Sequence, residues 1–368
     1  MRWAAVMAAL VLLLFPIRAG AEGVSDMYGA LPDAARDQLP ESLESGIAEN
    51  GEEAVASLGT GFVVKLISAA LSSAVNYALK PLSAVIGVLI LSALAGNAGD
   101  TVGGGCGEVI GFSSAVSVTV TLFGAMIPLF ELASDTLSGI GLIMKGILPV
   151  MTGIYAMSGN VTAASVNTTW LTLLLTFIET LTENLLMPLL CTCAGFAAVT
   201  SLSRFTGAPD MSGVSGALKK ALTFLLAAAG TVLSTVMAYQ TAIAKRADCV
   251  ALRSLKFASG NMIPVIGGAL GEAADGYLAG VSLIRTASGT LAAAAVVSYV
   301  LPALLKIAVL RAGLSLTAAG ADIMGCGKEA AVIWEAGEAL GIAVSLLCAA
   351  SVMSVIAIGA FAGSLGGG

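Results

Sequence analysis

Residues 337–362 read Gly337-Glu338-Ala339-Leu340-Gly341-Ile342-Ala343-Val344-Ser345-Leu346-Leu347-Cys348-Ala349-Ala350-Ser351-Val352-Met353-Ser354-Val355-Ile356-Ala357-Ile358-Gly359-Ala360-Phe361-Ala362. After Glu338 the stretch carries no charge, and it is longer than a soluble core helix needs. About 20 predominantly apolar residues suffice to cross the hydrocarbon of a bilayer as a helix. The chain around it has the same character. It is 57% hydrophobic and 11% charged, whereas a soluble domain carries roughly a quarter charged residues. Its mean hydropathy is +0.96. Too few charges remain to solvate a globular surface. Abundant Ala, Gly, Ser and Thr let helix backbones approach closely, which is how helices associate in lipid. The fold expected is an all-α polytopic membrane protein.

Comparable runs predict further spans near 81–97, 109–130, 138–158, 163–182, 184–203, 218–243 and 286–310, giving a bundle of about 7–8 transmembrane helices within residues 81–362. Residues 61–80 have helical apolar spacing with Lys65, Asn76 and Lys80 interspersed, and read as an interfacial amphipathic helix. Residues 22–60 are rich in acidic side chains, from Glu22 and Asp26 to Glu52 and Glu53, and read as an extracytoplasmic aqueous segment, broken into short helices at Leu31-Pro32 and Leu39-Pro40. Residues 1–21 pair Arg2 with an apolar run from Ala4 to Phe15 and end on Ala19-Gly20-Ala21. The run is short for a span, a polar stretch follows it, and the ending predicts signal-peptide cleavage after Ala21. Segment 257–284 is apolar but interrupted by Asn261, Pro264, Gly267, Gly268, Gly271, Glu272 and Asp275. It reads as a broken or re-entrant helix, which lipid tolerates only where protein or water covers the open backbone groups.

Composition also excludes chemistry. The chain has no histidine, which removes Ser-His-Asp, Cys-His and His-ligated metal sites together. Gly-x-Ser-x-Gly is missing as well, and no enzymatic activity, cofactor or metal site is expected. The net charge of −6, with no basic run interleaved with aromatics, argues against a nucleic-acid partner. Cys191 and Cys193 sit in an apolar run as small core residues. Cys106 and Cys326 share glycine-rich surroundings, which leaves a disulfide between them open.

Charges inside apolar runs are costly and usually face a bundle interior. Here they are Lys145, Glu179, Glu183, Glu272, Asp275, Arg285, Lys306, Arg311, Glu335 and Glu338. Asp275 and Arg285 could pair if the chain folds back between them. Lys306 and Arg311 can snorkel to the interface, and Glu335 and Glu338 open the last span, where the helix dipole favours anions. Orientation is contested by the charges: Arg204, Lys219 and Lys220 suit a cytoplasmic connection, yet Lys245, Arg246, Arg253 and Lys256 then fall outside.

Two short patterns recur at an offset of about 115 residues. Leu148-Pro149-Val150 with Gly153 matches Ile263-Pro264-Val265 with Gly267 and Gly268, and Met187-Pro188-Leu189 matches Leu301-Pro302-Ala303. Either the chain contains a duplication, with halves near 109–243 and 244–362 and an inverted relation as in many transporters, or an Ala/Leu/Gly-rich chain has repeated itself by chance. Under the first reading, Pro149 and Pro264 break two helices that meet at the bundle centre. Glycines 153, 267 and 268 would let the chain bend there, with Glu272, Asp275 and Arg285 around the second break.

The stretch Arg253-Ser254-Leu255-Lys256-Phe257-Ala258-Ser259-Gly260-Asn261-Met262-Ile263-Pro264-Val265-Ile266-Gly267-Gly268, followed by Asp275-Gly276 and Leu283-Ile284-Arg285, resembles the signature of the stage III sporulation protein AE family. Leu148-Pro149-Val150 and Gly159-Asn160-Val161-Thr162-Ala163-Ala164 also fit that family. The resemblance covers residues 60–362 and departs from the family mainly in the glycine-rich 102–107 loop. It implies a multi-pass component of the mother-cell membrane facing the forespore. Its implied partners are the other membrane proteins of a secretion-like stage III sporulation channel complex, and its implied role is in sporulation after engulfment. The family has no established enzymatic activity. The competing reading from the residues themselves is an autonomous secondary transporter for a small solute, favoured by the broken helices and disfavoured by the lack of a fixed set of pathway charges on several helices.

Overall fold

A computed structural model of the chain describes residues 22–39, 60–102, 106–157, 168–169, 172–173, 176–177, 179–206, 213–232, 235 and 267–363. The predicted signal peptide with Ala21, the basic stretch 244–256 and Pro264 lie outside the described residues. Apart from turns and bends, the described chain is helical. Its elements are α1 (Glu22–Ala30), α2 (Asp33–Arg36), α3 (Thr60–Val102) and α4 (Cys106–Met157). A π-helical turn, Thr182–Leu186, leads into α5 (Met187–Thr206). There follow α6 (213–232), α7 (Gly267–Ile323) and α8 (Gly327–Gly363).

Among the described residues, five helices are long and apolar enough to cross a membrane: Val64–Ala95, Val109–Ile154, Glu179–Thr200, Ser288–Ile323 and Gly327–Gly359. The expected spans 109–130 and 138–158 are thus one helix. The segment between the two, which carries Glu131 and Asp135, is helical. Leu129, Phe130, Ala133 and Leu137 bury one side of it while Glu131 and Asp135 face outward. Two charges four residues apart share a face and leave the other face apolar, so they do not end a helix. Likewise 61–80 continues through Pro81 into the following span as α3. The expected spans 163–182 and 218–243 are described only in part.

Two antiparallel hairpins organise the bundle, α3 with α4 and α7 with α8. Leu82 packs where Gly313 lacks a side chain, and Lys306 sits 5.8 Å from the ring of Tyr77. The contacting residue numbers rise together, so α3 and α7 run parallel. The second hairpin is the core. In the most apolar window of α8, 72% of residues are buried, and in that of α7 61%, against 22% for α3 and 28% for α4. Along α7, Leu291, Ala292 and Ala294–Val297 are all buried, which only short side chains allow on so many sides of one helix. The turn between α7 and α8 is a glycine-capped helix end. Gly325 has φ +80°, its N–H bonds Asp322 O at 3.1 Å, and the Cys326 N–H bonds Ala321 O at 2.9 Å. Those two bonds satisfy carbonyls that the end of α7 leaves open. Cys326 is a buried free thiol, so the Cys106 pairing left open by the sequence is not made.

The described part of the acidic N-terminal segment keeps Asp26, Asp33 and Asp37 exposed. Residues 22–39 lie on the bundle with Met27, Leu31, Ala35 and Leu39 buried in the common core. Their spacing of about four residues forms one apolar stripe across α1, Pro32 and α2. The Ala30 carbonyl lies against Gly146 of α4, where any side chain would collide with it. Arg36 fastens the two short helices by donating from Nε to the Tyr28 carbonyl at 3.1 Å and from Nη2 to the Gly29 carbonyl.

Candidate functional site

Three polar seams cross the apolar bundle. The first joins α4 to the chain around the π turn. Lys145 Nζ lies 2.9 Å from Glu179 Oε2, and Ser138 Oγ donates to Glu183 Oε1 at 3.0 Å. Glycines make the approach possible: a side chain at Gly141 would meet the Glu179 carboxylate, and one at Gly139 would meet the Tyr299 ring of α7. The π turn has a local cause. Pro188 has no N–H and its ring would crowd the carbonyl of Asn184 in a regular helix. The Met187 N–H instead reaches back five residues to Thr182 O, the bond of a π bulge, a feature frequent at functional sites. Glu183 sits inside that bulge.

The second seam joins α6 to α8. Lys219 Nζ stands 3.3 Å from Glu335 Oε2 and 2.5 Å from Glu338 Oε2. The third lies at the α7–α8 turn, where Glu329 is 7% exposed. Its Oε1 accepts from Ser92 Oγ of α3 at 3.0 Å and from Ser114 Oγ of α4 at 3.1 Å. One carboxylate thus ties both hairpins together. Charge-assisted bonds of this kind are stronger than neutral ones, and they fix the register of helices whose apolar faces would otherwise slide.

The sequence-derived site residues are not brought together. Helix α4 passes through Pro149 without a break. Pro149 and Gly153 are both exposed, and space is open beside Gly153. Position 149 is therefore not a helix break at the bundle centre. A ring on an outer face strains only its own turn, and Thr152 Oγ1 donates to the Leu148 carbonyl beside it at 2.7 Å. Gly267, Gly268, Glu272, Asp275 and Arg285 belong to the opening turns of α7, and their side chains lie outside what is described. The backbone there is continuous helix, so residues 267–284 are neither broken nor re-entrant. Ten residues of helix hold Asp275 and Arg285 about 15 Å apart, which rules out the fold-back pairing. Pro188 follows a π bulge whereas Pro302 sits within α7, so the second recurring pair differs in local geometry.

Lys145, Glu179, Glu183, Glu335 and Glu338 were visible as charges within apolar runs, although their partners were not. Lys306 meets Tyr77 rather than simply snorkelling. Glu329 was missed. It lies beside Lys328 just after a glycine turn and looks like an ordinary helix-start acid; only the serines at 92 and 114, on another hairpin, reveal it. Among the described residues, no three His, Cys, Asp or Glu side chains converge to hold a metal ion.

The family model described as Stage III sporulation protein AE matches residues 45–364, a range that contains all three seams. No curated protein and no solved structure matches the chain.

Proposed function

The chain belongs to the stage III sporulation protein AE family, and on that premise we propose that it is a membrane component of a secretion-like channel complex between mother cell and forespore, needed after engulfment. Membership carries a role in stage III of sporulation, and the long apolar helices mark a membrane protein. The observation that carries the proposal is the family match over nearly the whole helical bundle. The seams support it. Lys145 and Lys219 each meet a carboxylate from another helix, which suits a rigid scaffold that presents surfaces to neighbouring membrane proteins. We assign no enzymatic activity to it. Signal cleavage after Ala21 would place the docked segment 22–39, and with it the Gly146 level of α4, outside the cytoplasm. The Met324–Cys326 turn then faces the mother-cell cytoplasm, with Lys219, Lys220 and Lys328 toward that end, as the positive-inside rule asks.

The second reading, an autonomous secondary transporter, draws on the charges and the π bulge along α4 and residues 179–186. Gene deletion separates the two. The channel component gives arrest after engulfment with normal vegetative growth, and the tagged protein co-purifies from sporulating cells with other membrane proteins of the same operon. Normal spores from the deletion strain, or a solute-uptake defect in growing cells, would overturn the channel reading.

A further inference from the structure

Helix α4 carries one outward row that does not suit lipid. Ile127, Glu131, Asp135, Ser138, Leu142 and Lys145 recur at steps of four and three, so they share a face. Ile127 and Leu142 are 55% and 58% exposed, and Glu131 and Asp135 between them are exposed as well. Contacts along the bundle give the depth of these carboxylates. The Arg311 guanidinium of α7 lies against Gly341 of α8, and the Tyr299 ring of α7 fills the place of a side chain at Gly139 of α4. Helices α7 and α8 are antiparallel, so Tyr299 and Gly139 are level with about Met353. Helix α4 runs parallel to α8. Asp135, about one turn before Gly139, is then level with about Ala349, the middle of the uncharged run 339–362. Two carboxylates therefore stand near mid-membrane on an outer face, where a bare charge is costly.

Neither is answered within the chain. Among the described residues, Glu131 and Asp135 make no ion pair or hydrogen bond. Lys145, on the same face, stands about 15 Å along α4 from Asp135 and pairs with Glu179. Lys306 is turned to the ring of Tyr77. Symmetric pairing with a second copy would set acid against acid, and like charges repel strongly in a medium of low dielectric. We propose that this face docks a transmembrane helix of another protein that carries a Lys or Arg at the middle of its span, with apolar side chains on either side of that cation against Ile127 and Leu142. The inference rests on the reading of the chain as a component of a membrane complex, and it names the chemistry of one neighbour.

The probe is a synthetic helix of about 24 Leu and Ala residues with one Lys at its centre and a fluorophore at one end. It is titrated with the full chain in dodecyl maltoside micelles and followed by anisotropy. The central-Lys helix is expected to bind saturably. The same helix with Leu in place of Lys, or with Lys shifted about 11 Å toward one end, should bind about tenfold more weakly, the order of one interhelical polar contact in a membrane. Glu131→Gln with Asp135→Asn should weaken binding of the central-Lys helix by the same factor. Glu131→Gln with Asp135→Lys should instead prefer a helix with a central Glu. Far-UV circular dichroism confirms that each variant is folded. The proposal is overturned if the Leu helix or the shifted-Lys helix binds as tightly as the central-Lys helix. Unchanged binding to Glu131→Gln with Asp135→Asn, or a charge-reversed variant that still prefers Lys, would do the same. So would association between labelled and unlabelled copies of the chain that Glu131→Gln with Asp135→Asn abolishes, since the face would then belong to a second copy. Gene deletion tests the complex reading itself, so normal spores and a failed titration are separate results.

Discussion

Replacing Lys219 with Met keeps the length of the side chain and removes its charge, which isolates what the α6–α8 seam contributes. Lys219 and Glu335 are 18% and 17% exposed, and Glu338 is 49% exposed. At an effective dielectric of about 20, opposite charges 3.3 Å apart attract by about 5 kcal/mol before desolvation is counted. Removing one partner of a buried pair costs about 3–5 kcal/mol, because the other charge stays behind uncompensated. Water around the half-exposed Glu338 recovers part of that, so the expected loss is about 3 kcal/mol. Glu335 and Glu338 also stand one turn apart, and their mutual repulsion is no longer offset. The double variant Lys219→Met with Glu335→Gln removes one of the two carboxylates that Lys219 faced and should regain roughly half of the loss. Unfolding in mixed micelles of dodecyl maltoside and increasing sodium dodecyl sulfate, followed by circular dichroism and by the fluorescence of the neighbouring Trp334, measures both. If the single variant unfolds within about 0.5 kcal/mol of the native chain, the magnitude of an ordinary surface pair, or if the double variant is no more stable than the single one, Lys219 does not hold α6 to α8.

Gly325→Ala should cost about 1 kcal/mol in the same unfolding assay, since φ +80° is a left-handed conformation in which a Cβ is strained; no loss would show that the turn relaxes freely. Gly146→Leu should push the Ala30 carbonyl off α4 and release residues 22–39. Trypsin should then cut after Arg36 about tenfold faster, through easier local opening, with the helical signal of the bundle unchanged. An unaltered cleavage rate would mean that the segment is held elsewhere.

Helix type and lipid environment were legible in the sequence because both follow from sums over many residues: apolar runs such as 337–362 and the scarcity of charge. The merging of 109–130 with 138–158 was not, because a span count read from hydropathy treats Glu131 and Asp135 as a border, while a helix sorts them onto one face. The burial of Met27, Leu31, Ala35 and Leu39 was hidden for the opposite reason. Acidic neighbours dominate the local average, and only the four-residue spacing of the apolar positions marks a docking stripe. Costly charges such as Lys145, Glu179 and Glu335 could be picked out singly, since burying a charge is expensive wherever it lies. Their pairing depends on which helices become neighbours, a long-range outcome that no local pattern encodes. Glu329 shows this most clearly: its partners, Ser92 and Ser114, are small hydroxyls that would pass unnoticed on any helix.

The length of α7 has a mechanical consequence. Its 57 residues measure about 85 Å along the axis, against a hydrocarbon slab of about 30 Å. Even at the steepest tilts observed for membrane helices, about 40°, such a rod rises about 65 Å and leaves some 35 Å standing clear of the lipid. Packed along α8, the rod cannot easily bend. Whatever binds the part standing clear is therefore held at a set height above the membrane, as on a post.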